Sequence, residues 1–295
     1  MKIALGIDTL SYHCRIQAGE ITVEEVFDEI AELGCAYVQL DLHHVRQRSL
    51  DELGDLRAHA DALGLRILTS GDFVGTPRQG DTPADGVTRI AGWIAQARAV
   101  ASPIVRVASG FYRAELAGDP DAIRAEQRYV IDTLQLAAAE LDTTGIVVVL
   151  ENHSDFTPEE YSEIIAEVGD EHMGVFLDLI NPIAVLADPL SMVAGLVPYA
   201  VCGHVKDYRF ESHYVPDNYH RRGFDVQWCC PGEGVADLPA LVGLLTAKPG
   251  PGTYGLAIEG LDNYPGVADQ HERLDRSLGV LRGIIGNDLA TLAAW

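Results

Sequence analysis

Short apolar runs alternate with helix-periodic stretches along the chain, the mark of repeated strand–helix units. Ile3–Asp8 reads as a first strand, and its helix opens at Thr22, where Glu25 completes a capping box, and closes at Gly34. The second unit is Tyr37–Leu42 with a helix from Ser49 to about Gly64. The third is Leu65–Ser70, then a polar, Gly- and Pro-rich loop over Gly75–Gly86 and a helix across Thr88–Val100. Ile104–Ala108 precedes a long helix from about Pro120 to Leu141. Ile146–Glu151 precedes a helix that Thr157-Pro158-Glu159-Glu160 starts with an N-cap, a first-turn proline and acidic dipole partners. Gly174–Asp178 leads to a helix near Asp188-Pro189, Val201–Lys206 to one near Asp237-Leu238-Pro239, and Tyr254–Glu259 to one from about His271 to Ile285. Eight units without a linker-like change of composition predict one α/β domain over residues 1–295, a (β/α)8 barrel, which takes ~250 residues. The competing architecture is an open doubly wound sheet, but no glycine-rich dinucleotide turn follows the first strand.

Four of these strands end on a group able to ligate a metal. Val147-Val148-Val149-Leu150 runs into Glu151, Val175-Phe176-Leu177 into Asp178, Val201-Cys202-Gly203 into His204, and Leu256-Ala257-Ile258 into Glu259. The first three are separated by 27 and 26 residues, one unit each, and the last step is 55. Strand C-termini converge at a barrel mouth, so three carboxylates and an imidazole meet there. Buried without partners their charge is costly, and a cation is the natural compensator. Oxygen-rich ligation with one nitrogen suits a divalent ion such as Mn²⁺, Mg²⁺ or Co²⁺. The plain alternative is a set of solvated or salt-bridged mouth residues.

The long last step reflects an inserted loop after strand seven, about Tyr208–Pro231, rich in aromatic and polar side chains: Tyr208, Phe210, His213, Tyr214, Tyr219, His220, Phe224 and Trp228. At the catalytic face such a segment predicts a lid or specificity element. It equally suits a contact between copies in a homo-dimer or tetramer.

Charge narrows the partners. Acidic residues number 44 against 21 basic ones, a net of −23, which argues against nucleic acid and anionic membranes and favours an uncharged substrate such as an unphosphorylated sugar. Five scattered cysteines without ligand spacing argue against a disulfide framework and predict a reducing, cytoplasmic setting. The first apolar run is too short for a signal peptide, and no stretch approaches the ~20 apolar residues of a membrane span.

Other residues gather at the same mouth. Lys206 lies two residues beyond His204 and points to the same side; it would hold a substrate hydroxyl or an enediolate oxygen, or pair with Glu233 or Asp207. His153 shares a face with Glu151 and reads as a proton shuttle, a donor to a ligand, or a structural histidine. Asn181 would orient Asp178 or bond substrate. Asp41, His43 and His44 close strand two and would contact the far end of a substrate, with His13 and Asp72 facing the same mouth, or all five simply form a polar rim.

Leu150-Glu151-Asn152-His153, Leu177-Asp178-Leu179-Ile180-Asn181, Gly203-His204-Val205-Lys206-Asp207, Gly232-Glu233-Gly234-Val235 with Asp237, and Ala257-Ile258-Glu259 together resemble the xylose-isomerase-like barrel superfamily of sugar isomerases and epimerases. Ketose 3-epimerases, hydroxypyruvate isomerase, inosose dehydratase and, more distantly, endonuclease IV are members. The motifs span the C-terminal half; the N-terminal half agrees in pattern only. The resemblance implies that Glu151, Asp178, His204 and Glu259 bind one Mn²⁺-like ion, that Glu151 and Glu259 double as the acid/base pair, and that Arg209 binds a substrate hydroxyl. A histidine commonly stands where this chain has Asn181, a departure from the epimerases.

Such a site implies a metal-dependent isomerase or epimerase of a small uncharged ketose or aldose. The ion polarises the carbonyl, and a carboxylate removes and returns the neighbouring proton through an enediolate. The same abstraction followed by loss of a β-hydroxyl would make it a lyase resembling inosose dehydratase or dehydroshikimate dehydratase. A repair nuclease needs more histidines and a basic groove, which this acidic chain does not offer. A non-catalytic sugar-binding protein has no need of an intact ligand quartet.

Overall fold

The computed structural model describes residues 1–143, 145–169, 173–214, 221–249, 252–260 and 269–290, with the side chains at 213, 214, 221 and 222 outside that set. Its strands are β1 (Lys2–Asp8), β2 (Tyr37–Asp41), β3 (Arg66–Phe73), β4 (Ile104–Ala108), β5 (Val147–Glu151), β6 (Gly174–Phe176), β7 (Ala200–Val205), β8 (Asp207–Tyr214), β9 (Arg221–Cys229) and β10 (Thr253–Ile258). Eight of them close a parallel barrel; β10 pairs with β7 on one side and with β1 on the other, from Lys2↔Thr253 to Ile7↔Ile258. Among the described residues, only β8 and β9 stand apart, as an antiparallel hairpin. The connections carry α1 (His13–Gln17), α2 (Val23–Glu32), α3 (Leu50–Leu63), α4 (Pro83–Ala99), α5 (Pro120–Glu140), α6 (Pro158–Val168), α7 (Pro189–Leu196), α8 (Leu238–Thr246) and α9 (Gln270–Ile285).

The helices start where local chemistry tells them to. Thr22, Ser49 and Thr157 cap α2, α3 and α6 in reciprocal capping boxes with Glu25, Glu52 and Glu160. Asp119, Asp188 and Asp237 cap α5, α7 and α8, each with a proline in the first turn. One start differs from expectation. Helix α4 begins at Pro83 and takes the end of the supposed loop, because the Thr82 N–H donates to Asp85 Oδ2 (2.8 Å) in a further capping box. Gly86 then lies inside the helix, where a Cβ would meet Val74 O at 3.1 Å and crowd the Thr133 methyl.

The barrel interior is layered, as side-chain alternation along parallel strands requires. Ala4, Tyr37, Leu68, Ile104, Val149, Phe176, Cys202 and Ala257 form one apolar plug. A Cβ on Gly6 would lie 2.6 Å from the Tyr37 ring, so glycine makes room for this largest plug side chain. Two residues further along six of the strands stand Gln39, Arg106, Glu151, Asp178, His204 and Glu259, all buried. The apolar floor thus supports a polar storey immediately above it.

Strand β6 stops at Phe176, two residues before the expected end at Asp178. Asn152 Oδ1 takes the Asp178 N–H (2.7 Å), and the Asp178 carboxylate accepts from the N–H groups of Ile180 and Asn181 (2.7 Å each), which turns the chain. The segment between β7 and α8 holds the β8–β9 hairpin, paired from Asp207↔Cys229 to Tyr214↔Arg221. Its root is gripped by Asp207, whose carboxylate accepts N–H groups of Tyr208 (2.8 Å), Gly232 (3.1 Å), Gly234 (3.0 Å) and Ala236 (3.0 Å). Tyr219 and His220, and the side chains of His213 and Tyr214, lie outside the described residues.

Candidate metal centre

At the C-terminal ends of β5, β6 and β7, Glu151, Asp178 and His204 place ligand atoms within 4.8 Å of one another. Nδ1 of His204 is the common point: Glu151 Oε1 lies 3.7 Å away, Asp178 Oδ2 3.9 Å and Glu259 Oε2 3.9 Å. The four residues named from their strand ends are therefore brought together. Buried Nδ1 has no hydrogen-bond partner, while Nε2 lies 2.8 Å from Asp8 Oδ2. An ionised carboxylate only accepts, so Asp8 keeps a proton on Nε2 and leaves Nδ1, the nitrogen without a hydrogen-bond partner, aimed at three carboxylate oxygens.

Two buried cations complete the cluster. Lys206 Nζ donates to Asp178 Oδ2 (2.8 Å) and to Glu259 Oε2, and goes to neither Glu233 nor Asp207. Arg106 forms an ion pair with Glu151 Oε2. Among the described residues, with the imidazole neutral as a metal ligand must be, the carboxylates of Asp8, Glu151, Asp178 and Glu259 exceed Arg106 and Lys206 by two negative charges in a buried space. One divalent cation would balance that excess, and the bare Nδ1 would face it. The residues present fit a metal.

The electrostatics follow from these contacts. Burial pushes the Glu151 carboxyl up, but the Arg106 charge and then the His204 contact hold it well below the usual carboxylate range. Glu259 is also lowered, against burial, chiefly by Lys206. Burial pushes the His204 imidazole down, yet Glu259, Asp8 and Glu151 raise it to about 10. Lys206 is raised, because Asp178 and Glu259 outweigh its burial. It is a hydrogen-bond donor that keeps its proton.

An open cavity of about 380 Å³ sits over this layer, and Glu259, Lys206, Arg106 and Asn181 reach it. The Asn181 amide donates to Glu151 Oε1 (3.2 Å), and its backbone N–H holds Asp178. His153 lines the cavity between the rings of Phe73 and Tyr112, at centroid distances of 5.8 and 5.3 Å. Arg209 is placed otherwise: it is exposed on β8, its Nε donating to Glu233 O (2.7 Å), and it does not line the cavity. His13, His43, Asp41 and Asp72 line the opposite rim, while His44 stands behind, 2.9 Å from both His13 Nδ1 and Thr9 Oγ1. Burial, and then the Asp8 charge, push the Asp41 carboxyl up to about 7.

A model of the xylose isomerase-like TIM barrel matches residues 27–284. The chain belongs to this family. Its structure is similar to that of D-psicose 3-epimerase in the presence of D-fructose, at 15% identity and a TM-score of 0.70 over 97% of this chain and 100% of that one. It is also similar to the IolI protein with a binding zinc atom (13% identity, TM-score 0.69, 98% and 100% covered). A third is the probable 3-DHS dehydratase AsbF involved in petrobactin synthesis from Bacillus anthracis (16% identity, TM-score 0.68, 95% and 98% covered). No curated protein sequence matches the chain. Among the described residues, no helix is long and apolar enough to cross a membrane.

Within this family barrel, strand-end reading passed over two members of the cluster. Asp8 closes β1 just as Glu151 closes β5. Arg106 interrupts the apolar run Ile104-Val105-Arg106-Val107-Ala108 at an inward-facing position. A charge in the middle of a buried strand was the available signal.

Proposed function

We propose that this protein is a divalent-metal-dependent isomerase or epimerase of a small, uncharged ketose or aldose. The observation that carries the reading is the bare, buried His204 Nδ1 facing three carboxylates beneath an open polar cavity. Glu151, Asp178, His204 and Glu259 would hold the ion, with Mn²⁺ favoured by the oxygen-rich set. When bound, it supplies Lewis acidity to a substrate carbonyl and neutralises developing negative charge.

The side chains divide the remaining work. Glu259 reaches the cavity, so it is the base that takes the proton beside the carbonyl. Glu151 lies deeper, held by Arg106 and Asn181, and serves first as a ligand. Lys206 donates a hydrogen bond to an enediolate oxygen without giving up its proton. Trp228, at the foot of the hairpin, lines the cavity with its ring 5.5 Å from Lys206 Nζ and shields that ammonium from water. Both cations are already paired, which leaves no spare charge for a phosphate or carboxylate and supports an uncharged substrate.

The test is exchange. Protein stripped with a chelator, then reloaded with Mn²⁺, is incubated with a panel of ketoses in deuterated water and followed by proton NMR. Exchange at the carbon next to the carbonyl, lost on stripping and restored by the ion, is the expected result; no exchange on any sugar with the loaded protein would sink the reading. The dehydratase alternative draws on His153, which lines the cavity and would protonate a leaving hydroxyl. An enone absorbance in place of a second sugar would select it.

A second prediction concerns protons. With its imidazole raised to about 10, metal-free His204 holds an extra proton at neutral pH that an ion on Nδ1 must displace. Higher pH removes that competitor, so Mn²⁺ affinity rises with pH until His204 titrates, and uptake at neutral pH releases about one proton per ion. Calorimetry in buffers of different ionisation enthalpy measures this directly. Uptake without proton release contradicts it.

A further inference from the structure

We propose that Asp8, at the end of β1, is the positioning residue that presents His204 to the metal through Nδ1. The proposal rests on the reading of Glu151, Asp178, His204 and Glu259 as a metal site, and adds a member from the first strand.

Asp8 and His204 are both fully buried, and Asp8 Oδ2 lies 2.8 Å from Nε2. The other oxygen, Oδ1, accepts the Leu10 N–H at 2.7 Å, so the carboxylate is anchored to the turn after β1 and cannot swing away. The imidazole is pinned from below by Phe176, ring centroids 4.6 Å apart at 78°. With the ring plane set by Phe176 and Nε2 occupied by Asp8, Nδ1 is the nitrogen left facing the three carboxylates. A carboxylate behind a ligating histidine orients the ring, selects its tautomer and increases its basicity. Asp8 itself sits on the far side of the ring and is not a ligand.

Asparagine has the same shape and the wrong donors. Keeping its carbonyl on the Leu10 N–H turns its NH₂ toward Nε2, which forces the imidazole proton onto Nδ1. Reversing the amide instead sets the NH₂ against the Leu10 N–H. Either arrangement opposes ligation through Nδ1.

The experiment measures Mn²⁺ binding by the fall of the free-ion electron paramagnetic resonance signal, for wild type and Asp8→Asn, beside thermal unfolding of both metal-free proteins. The expected result is Mn²⁺ affinity about 10- to 100-fold weaker in Asp8→Asn, with metal-free unfolding little changed. Wild-type affinity in that variant overturns the role of Asp8 and leaves the metal reading standing. A wild type that takes up no Mn²⁺ overturns both. A second measurement needs no variant: in ¹⁵N-histidine-labelled wild type loaded with ¹¹³Cd²⁺, cadmium coupling on His204 Nδ1 with a proton on Nε2 supports the assignment. Cadmium on Nε2 overturns it.

Discussion

Glu259→Gln lowers deuterium exchange into the substrate by about 10²- to 10⁴-fold at saturating Mn²⁺, the range that a positioned general base contributes. Among the four proposed ligands, Glu259 alone reaches the cavity; Glu151 is 1% exposed and engaged on both oxygens, by Asn181 and Arg106. Glutamine keeps an oxygen for the ion and removes the basic one. Saturating metal separates lost chemistry from lost occupancy, with Mn²⁺ binding measured on the same protein. Glu151→Gln is expected to weaken Mn²⁺ binding more than exchange at saturation. Arg106, left facing a neutral amide in a buried space, would contribute much of that loss. Full exchange by Glu259→Gln would remove it from the base role, and a larger exchange defect in Glu151→Gln would exchange the two assignments.

Gly203→Ala destabilises the protein by about 3 kcal/mol, the upper part of the usual overpacking range. A Cβ at this position would overlap the Leu177 carbonyl oxygen and crowd the Tyr254 hydroxyl, both fixed inside the barrel wall. Backbone cannot yield as a flexible side chain does, so β7 and the chain leading to Asp178 must part. His204 is the next residue and Asp178 follows Leu177, so the same movement separates two proposed ligands. Mn²⁺ affinity therefore falls together with the thermal midpoint. Gly195, on α7, has open space around a Cβ, and Gly195→Ala serves as the control, with stability equal or higher by up to about 1 kcal/mol. A Gly203→Ala protein with unaltered midpoint and affinity would show that β6 and β7 are not locked together there.

How far the site could be read in advance depended on where each residue gets its meaning. Glu151, Asp178, His204 and Glu259 each follow an apolar strand, and parallel barrel strands deliver their C-terminal ends to one face whatever the helices between them do. Lys206 was placed at the mouth by strand parity, but its partners across the barrel were not: Asp178 and Glu259 lie 28 and 53 residues away along the chain. Arg209, close to His204 in sequence, was carried out to the surface because the chain enters the hairpin at Asp207. The start of α4 was missed because the glycine at 86 reads as loop, whereas Thr82, Pro83 and Asp85 had already specified a helix.

The order of strands and helices, the caps that start them and the residues that end each strand are local properties, set by periodicity and by side chains one turn apart. They required no knowledge of neighbours. Which nitrogen of His204 is bare, which oxygen of Glu151 is taken, and that Asp8 and Arg106 complete the cluster are relations between strands β1, β4, β5 and β7. Only closure of the barrel creates them. Closure also removes water from these groups, so that hydrogen bonds and unbalanced charge, rather than solvation, decide what each one can do.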